Sequence, residues 1–264
     1  METWKDIEDE DDIKEFNFDM INPNSITFNQ GGSKIIVVGK PGTGKSTLLK
    51  SLLYNKRNLI TVGCILSGSE SANNFYSQFF PPLFIYNEYS EDAIALFRQR
   101  QLLAIKHLEE QQWAVLIVDD CCENVTVFKK PLQQDMFKNG RHYKMLYILS
   151  LQYVLDIPPA IRTNVDGVFI FRETNIETLK KIYTNFAGII PTFEKFKELM
   201  IKYTENYSAL YINNSIQSNK WQECVFWFRA TPAPENFKFG SQEMWFFNNT
   251  RYDTSYEDRI FKNI

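Results

Sequence analysis

The chain has 264 residues, of which 44% are hydrophobic, 15% aromatic and 23% charged. This composition is typical of a globular protein with a sizeable core and excludes a disordered chain. The net charge is −3, but residues 1–16 contain eight acidic residues and two lysines, so the rest of the chain carries +3. A body of that charge permits contact with nucleic acid, yet it is too weakly basic for a tight DNA binder that reads sequence.

The cysteines and histidines indicate neither a disulfide framework nor a metal module. The four cysteines, which form no paired CxxC motifs, are Cys64, Cys121, Cys122 and Cys224. His107 and His142 lie too far apart in sequence for a metal site, and we expect structural roles for both. No apolar run reaches the roughly 18 residues that span a bilayer, and the N-terminus is acidic where a signal peptide is basic. We therefore expect a soluble protein in a reducing intracellular compartment.

Apolar runs alternate with helix-forming segments along the chain. The predicted strands cover residues 34–38, 58–66, 83–86, 113–118, 144–149 and 167–171. The predicted helices cover residues 46–54, 90–112 and 126–138, the last interrupted early by Pro131. Because the runs are continuously apolar, they indicate an α/β fold with a mostly parallel sheet flanked by helices on both faces. Two further runs, 207–212 and 224–228, are expected to extend the sheet at the C-terminal side.

No internal repeat or low-complexity linker divides the chain, so one continuous domain is the simpler interpretation. We place this domain at residues 31–230. Residues 1–30 form an acidic N-terminal lead, and its charged start is expected to be a solvated tail. Residues 231–264 lack clear periodicity, and we expect them to be a C-terminal tail packed on the core.

A glycine-rich motif follows the first predicted strand. Residues 39–46 read GKPGTGKS, which fits G-x-x-x-x-G-K-[ST] between a strand and a helix. The glycines let backbone N–H groups turn inward around phosphates, Lys45 can reach the β and γ phosphates, and the Ser46 hydroxyl can ligate Mg²⁺. The alternative, a glycine turn without a ligand, is disfavoured by the strand-loop-helix context. The predicted nucleotide-binding residues are Gly39, Lys40, Pro41, Gly42, Thr43, Gly44, Lys45, Ser46 and Thr47.

Two acidic residues end the buried strand predicted at 113–118. We predict that Asp119 holds Mg²⁺, directly or through water, and that Asp120 acts as the general base on the attacking water. A helix cap or turn is the alternative role of such a pair. The 74 residues from Lys45 to Asp119 contain a further strand and helix, which indicates a RecA-like NTPase of the division with an additional strand. No N-K-x-D guanine-reading motif follows, so ATP is favoured over GTP.

Three polar residues near the next strands complete the predicted catalytic set. Gln152 follows the strand at 144–149, where its amide can orient the water or sense the γ phosphate. Arg141 and Arg162 each precede a strand. Either one can face a neighbouring subunit and neutralise the γ phosphate in transit, a role that accounts for roughly 10³ to 10⁵ in rate. A surface salt bridge is the alternative role of each arginine.

Several segments together resemble one family. These are GKPGTGKST, SGSESANNFYSQFFPPLFIYNEY, LIVDDCCENV, FKNGRHYKMLYILSLQYVLDIPPAIRTNVDGVFIFRE and CVFWFRA. Over about residues 30–230 the chain resembles the genome-packaging ATPases of nucleocytoplasmic large DNA viruses, the poxvirus type, which belong to the FtsK/HerA superfamily of hexameric DNA pumps. In bacterial relatives an arginine precedes the sensor glutamine by 11 residues and corresponds to Arg141, so the resemblance ranks Arg141 above Arg162. The second acid, Asp120, is Glu in the bacterial pumps.

The resemblance implies an ATPase, with ATP and Mg²⁺, that translocates double-stranded DNA without sequence preference into a preformed capsid through a hexameric ring. It implies a capsid or inner-membrane protein of the packaging vertex as a partner, and the host cytoplasm, at the viral factory, and the virion as locations. Candidate DNA contacts, for which a solvated helix face is the alternative, are Lys129, Lys130, Lys138 and Lys144. A nucleotide-gated assembly scaffold and a protein-remodelling ATPase remain alternatives, although Asp120 and Gln152 disfavour a scaffold.

Overall fold

A computed structural model describes residues 12–110, 112–122, 125–153, 157–253 and 255. Residues 1–11 of the predicted acidic lead, and residues 254 and 256–264 of the predicted tail, lie outside these ranges. None of the helices in the described ranges is both long enough and apolar enough to span a membrane.

Strands and helices alternate through the described ranges. The strands are β1 (Lys14–Glu15), β2 (Lys34–Val38), β3 (Val62–Ser67), β4 (Ile85–Tyr86), β5 (Ala114–Asp119), β6 (Met145–Leu151), β7 (Gly167–Phe171), β8 (Ser208–Asn213) and β9 (Val225–Arg229). The helices are α1 (Lys45–Lys56), α2 (Glu70–Asn73), α3 (Glu91–His107), α4 (Pro131–Asn139), α5 (Pro159–Arg162), α6 (Ile176–Phe186), α7 (Phe193–Tyr203), α8 (Trp221–Cys224) and α9 (Gln242–Arg251).

These nine strands form one mostly parallel sheet in the order β1-β9-β8-β7-β2-β6-β5-β3-β4. The six strands from β7 to β4 in that order run parallel to one another, whereas β8 runs antiparallel to both β7 and β9. The predicted α/β fold with extra C-terminal strands is therefore confirmed. Between Lys45 and Asp119 the chain forms β3, β4 and α3, and β6, which comes later in the chain, lies between β2 and β5 in the sheet.

Both faces of the sheet are covered, which explains why its central strands are apolar throughout. Every residue of β2, β6 and β7 is buried. One face packs against α3, α4, α6 and α7 in a first core, and the other packs against α1 and aromatic residues near both ends of the chain in a second core. Successive side chains of a strand point to opposite faces, so Ile36 joins the first core and Ile35 the second.

Some helix bounds differ from the prediction, and capping residues and a proline explain several of the observed bounds. Helix α3 begins as predicted, because the Ser90 hydroxyl accepts from the N–H of Ala93, but it ends at His107 instead of residue 112. Pro131 does not interrupt a helix; it stands in the first turn of α4, where its fixed φ is tolerated and no N–H is needed. The sequence analysis did not identify α6 and α7, which Asn175 and Thr192 cap.

Segments from both ends of the described chain pack on the second core. Phe16 and Ile21, in the predicted lead, are buried there, and β1 pairs with β9. In the predicted tail, Phe239 stacks on Phe80 with ring centroids 4.9 Å apart, and its N–H donates to the carbonyl of Phe79 at 2.7 Å. The helix α9 follows directly, with Met244 buried.

Candidate active site

The loop at residues 39–44 joins β2 to α1 in a shape that suits an anion. Gly42 and Gly44 have φ values of 75° and 112°, a region in which side chains are strained. A Cβ on Gly39 would lie 2.7 Å from Thr43 Oγ1, so the chain can close on itself there only with glycine. Gly44 is the N-cap of α1 and has no side chain to accept from the first-turn N–H groups. These N–H groups and the helix dipole favour a bound phosphate.

Lys45 occupies the centre of this loop. Its side chain is 6% exposed, and its Nζ donates to the carbonyl oxygen of Gly39 at 2.5 Å. The same Nζ lies 3.6 Å from Oδ2 of Asp120. The ammonium group is therefore held inside the loop by one carbonyl and one carboxylate, at the position where phosphate oxygens would compete for it.

Asp119, the last residue of β5, is held by a residue that sequence reasoning did not identify. The hydroxyl of Tyr76, which is fully buried, donates to Asp119 Oδ2 at 2.8 Å. Burial raises the pKa of Asp119, and the neighbouring charge of Asp120 raises it further. Asp119 Oδ1 is buried and has no hydrogen-bond partner within the described residues. An ionised oxygen buried in this way is costly unless it meets a cation or donor.

Asp120 points elsewhere because the backbone turns sharply at this residue. Its φ is 50°, in the left-handed region, and a Cβ on the opposing Gly68 would lie 2.6 Å from the Asp120 carbonyl. The Nε2 of Gln152 donates to Asp120 Oδ2 at 2.8 Å. Asp120 Oδ1 is buried without a hydrogen-bond partner among the described residues. The adjacent acids thus have different partners: Asp119 is bonded to Tyr76, and Asp120 contacts both Gln152 and Lys45.

These groups surround one cleft at the carboxyl edge of the sheet. Its volume is about 500 Å³, which is within the range of small-molecule sites. The residues that line it are Lys40, Pro41, Gly42, Gly44, Lys45, Ser46, Thr47, Ser69, Asn73, Asp119, Asp120, Gln152 and Tyr207. The register explains the convergence, since β6 runs beside both β2 and β5 and pairs Val38 with Leu151 and Asp119 with Ser150.

The oxygen groups in this cleft fit the predicted magnesium ion. Ser46 and Asp119 both line it, and a hydroxyl with a carboxylate is the hard oxygen donor set that Mg²⁺ prefers. The buried, unpartnered Oδ1 of Asp119 is the specific observation in favour, because a cation there would remove the cost of leaving it unsatisfied.

The two predicted arginines are not brought to the cleft in this chain. Arg141 precedes β6 and forms an ion pair with Asp166, while Arg162 ends α5 and donates to Asn185 at 2.6 Å. Both residues lie near the amino ends of strands, whereas the phosphate loop lies at the carboxyl end. The seven residues of β6 span about 20 Å at a typical rise per residue. The candidate DNA-contact lysines are also outside the cleft, and Lys130 lies 3.3 Å from Glu91.

Tyr207 lines the cleft together with Ser69 and Asn73, and sequence reasoning assigned none of these three residues to the site. Tyr207 lies just before β8, has a φ of 64° and is 67% exposed. Neither Tyr76 nor Tyr207 belongs to a motif with fixed spacing. Their roles depend on folding distant segments together, so no sequence signal was available for them.

Comparison with known proteins gives one family and several relatives. The profile of the family described as Poxvirus A32 protein matches residues 24–229. Protein 075L of Invertebrate iridescent virus 6 is 54% identical over 247 residues, which are 92% of this chain and 96% of that protein. Protein 088R of Invertebrate iridescent virus 3 is 49% identical over 237 residues, 88% of this chain and 90% of that one.

Among solved structures, the genome packaging NTPase B204 from Sulfolobus turreted icosahedral virus 2, in complex with ATP-gammaS, is similar with a TM-score of 0.53. The sequence identity is 20%, and the match covers 76% of this chain and 98% of that one. At this identity the likeness concerns the fold, and it agrees with the mostly parallel sheet described above.

Proposed function

The chain belongs to the Poxvirus A32 protein family, and from this premise we propose that it is an ATP-hydrolysing motor that moves viral double-stranded DNA into a preformed capsid. The relatives that support this are proteins of iridescent viruses, and the structural neighbour from Sulfolobus turreted icosahedral virus 2 is a genome packaging NTPase seen with ATP-gammaS. The matched residues include the phosphate loop, both acids and Gln152.

One observation carries the enzymatic part of this proposal. Lys45 at the start of the helix after β2, Asp119 and Asp120 at the end of β5, and Gln152 at the end of β6 line a single cleft with the phosphate loop. A protein that only bound nucleotide would need the loop but not a second carboxylate, that of Asp120, with an amide donor beside it. The arrangement therefore favours hydrolysis over a nucleotide-gated scaffold.

The site suggests how binding prepares the reaction. The loop N–H groups and Lys45 bind the phosphates, and Lys45 exchanges Gly39 and Asp120 for phosphate oxygens. Asp120 is then released from Lys45, and its carboxylate is placed to take the proton of the attacking water. Gln152, already bonded to Asp120, orients that water. Ser46 and Asp119 would hold Mg²⁺, which supplies positive charge against the β and γ phosphates when bound.

We propose that the positive charge that neutralises the γ phosphate during its transfer comes from an arginine of a neighbouring subunit. Within the described residues, Arg141 and Arg162 lie at the opposite edge of the sheet from the cleft, so action in trans within a ring, a hexamer by family resemblance, is the consistent arrangement. Arg141 is the first candidate because its side chain is 58% exposed. Mixing Arg141→Ala with Lys45→Ala subunits should restore turnover that each variant lacks alone. Absence of rescue would favour Arg162 or action within one chain.

The test of the whole proposal is ATP hydrolysis measured with and without double-stranded DNA of unrelated sequences. We expect stimulation by DNA in the wild-type protein, independent of sequence. Asp120→Asn should bind a non-hydrolysable ATP analogue normally and lose turnover. No hydrolysis under either condition would leave the scaffold role, and stimulation by unfolded polypeptide instead of DNA would indicate a protein-remodelling ATPase.

The proposed setting follows from the same premise. We propose that the motor works in the host cytoplasm, at the viral factory, and remains with the virion, docked on a capsid or inner-membrane protein of the packaging vertex. Cosedimentation of the protein with purified immature particles would test this location.

A further inference from the structure

The cleft lined by the loop at residues 39–44 and the two aspartates, here called the phosphate cleft, has two distinct ends. Asp120 and Gln152 also line a neighbouring cavity with Cys122 and Tyr153, which marks the end where the reacting γ phosphate belongs, whereas Gly44, Thr47 and Tyr207 line a different neighbouring cavity. A nucleotide bound with its γ phosphate beside the acids must therefore extend past Gly44 and Thr47. Its base and ribose need a site beyond them.

A second cavity begins at that end. Its volume is about 570 Å³, and it shares Gly44, Thr47 and Tyr207 with the phosphate cleft, so the two are contiguous. Trp227 and Arg229 of β9 also line it. The remaining residues that line it are Glu15, Ala230, Thr231 and Pro232. Aromatic and apolar walls with a few charged groups at the edge are the usual lining of a small-molecule site.

Tyr207 is held at the junction by an unusual backbone. Both Asn206 and Tyr207 have positive φ values, 52° and 64°, which residues with side chains rarely adopt. A Cβ on Gly44 would lie 3.3 Å from both the Cβ and the carbonyl oxygen of Tyr207, so the tyrosine backbone approaches the phosphate loop closely. Such conformations persist where the surroundings over-determine them, and they concentrate at ligand sites.

We propose that this second cavity binds the base and ribose of the nucleotide, with the ring of Tyr207 stacked on the base. The proposal rests on the proposed nucleotide-hydrolysing function and assigns the part of the ligand that the phosphate loop cannot recognise. Stacking acts on the face of the base and is tolerant of its identity. The ligand class is therefore a nucleoside triphosphate whose base is held through its face, and the stacking contact by itself does not distinguish one base from another.

The experiment separates base recognition from phosphate recognition. Binding of a non-hydrolysable ATP analogue and of inorganic tripolyphosphate, each with Mg²⁺, is measured by calorimetry on the full chain. Removing a stacked aromatic ring should weaken the nucleotide about 5- to 100-fold. Tyr207→Ala should therefore lose this factor for the ATP analogue and keep the tripolyphosphate affinity, and Tyr207→Phe should behave as the wild type. Tyr252→Ala, which removes an exposed tyrosine after α9, is the matched control.

Each other outcome has a definite meaning. Equal losses of both ligands in Tyr207→Ala would show that the tyrosine supports the phosphate loop, and would overturn the base site. Unchanged affinity for both ligands would overturn it as well. If the wild-type protein bound neither ligand, the proposed function itself would fail, which is a different result from the failure of Tyr207 alone.

Discussion

Replacing Tyr76 with phenylalanine tests how Asp119 is held. The change removes only the hydroxyl that donates to Asp119 Oδ2 at 2.8 Å, on a buried carboxylate whose Oδ1 already lacks a hydrogen-bond partner among the described residues. A hydrogen bond to a charged group contributes about 1.5–3 kcal/mol. We therefore expect the free energy of unfolding of the nucleotide-free protein to fall by about 1.5–3 kcal/mol at neutral pH.

A second buried tyrosine provides the matched control. Tyr147 is also fully buried, but its hydroxyl is bonded to the neutral amide of Gln133, at 2.5 Å from Nε2. Neutral hydrogen bonds contribute about 0.5–1.5 kcal/mol. Tyr147→Phe should therefore cost less than Tyr76→Phe, and its cost should not depend on the ionisation of Asp119.

The pH dependence distinguishes the two variants further. The Tyr76 hydroxyl favours the ionised carboxylate, so its removal raises the already elevated pKa of Asp119. The extra loss of unfolding free energy in Tyr76→Phe is fully present at pH values above the pKa of Asp119 in the variant. It fades as the pH falls below the pKa of Asp119 in the wild type, where Asp119 is neutral in both proteins.

Urea unfolding at pH 7.5 and at progressively lower pH values, with both variants and the wild type, gives these free energies. Equal costs for Tyr76→Phe and Tyr147→Phe at every pH would refute the charged hydrogen bond. The same preparations give a functional readout, since a poorly held Asp119 should raise the Mg²⁺ concentration for half-maximal hydrolysis.

Three further changes have expected results. Lys45→Ala should weaken binding of the ATP analogue in a calorimetric titration, because it removes the cation that the loop surrounds; unchanged affinity would contradict the assignment of the loop. Asp119→Asn should raise the melting temperature of the nucleotide-free protein at pH 7, because burial disfavours the charge at this position. That advantage should shrink as the pH is lowered and the wild-type carboxyl becomes neutral, and a constant advantage would argue against a charge effect. Phe239→Ala should lower the free energy of unfolding by about 3–5 kcal/mol, as expected for a fully buried aromatic side chain. A loss below about 1 kcal/mol in urea unfolding would show that the tail contributes little to the core.

The central part of the fold could be predicted because each strand is a continuous apolar run next to a turn signal. Two runs are the clearest cases: residues 34–38 are followed by a glycine loop, and residues 113–118 are followed by Asp119. Each run predicts a strand, and the residues after it predict which edge of the sheet that strand points to. Parallel strands place their carboxyl ends at the same edge, so the convergence of Lys45, Asp120 and Gln152 follows from the sequence once the sheet is known.

Other parts depend on contacts between distant segments and carry no local pattern. Tyr76 meets Asp119 across 43 positions of the chain, and Tyr207 meets the phosphate loop across more than 160. The two residues of β1 are too short for any periodicity. The helices α6 and α7 are a different case, since Asn175 and Thr192 are ordinary N-cap signals that the sequence analysis passed over.

The C-terminal segment around residues 237–239 packs on the second core close to Tyr76, and Tyr76 connects it to the candidate active site. Phe237 and Phe239 pack on Phe79 and Phe80, and these follow Tyr76 within four positions of the chain. The segment thus braces the stretch of backbone that aims a hydroxyl at Asp119. We therefore expect substitutions near residue 239 to alter the proposed metal binding and hydrolysis without contacting a phosphate.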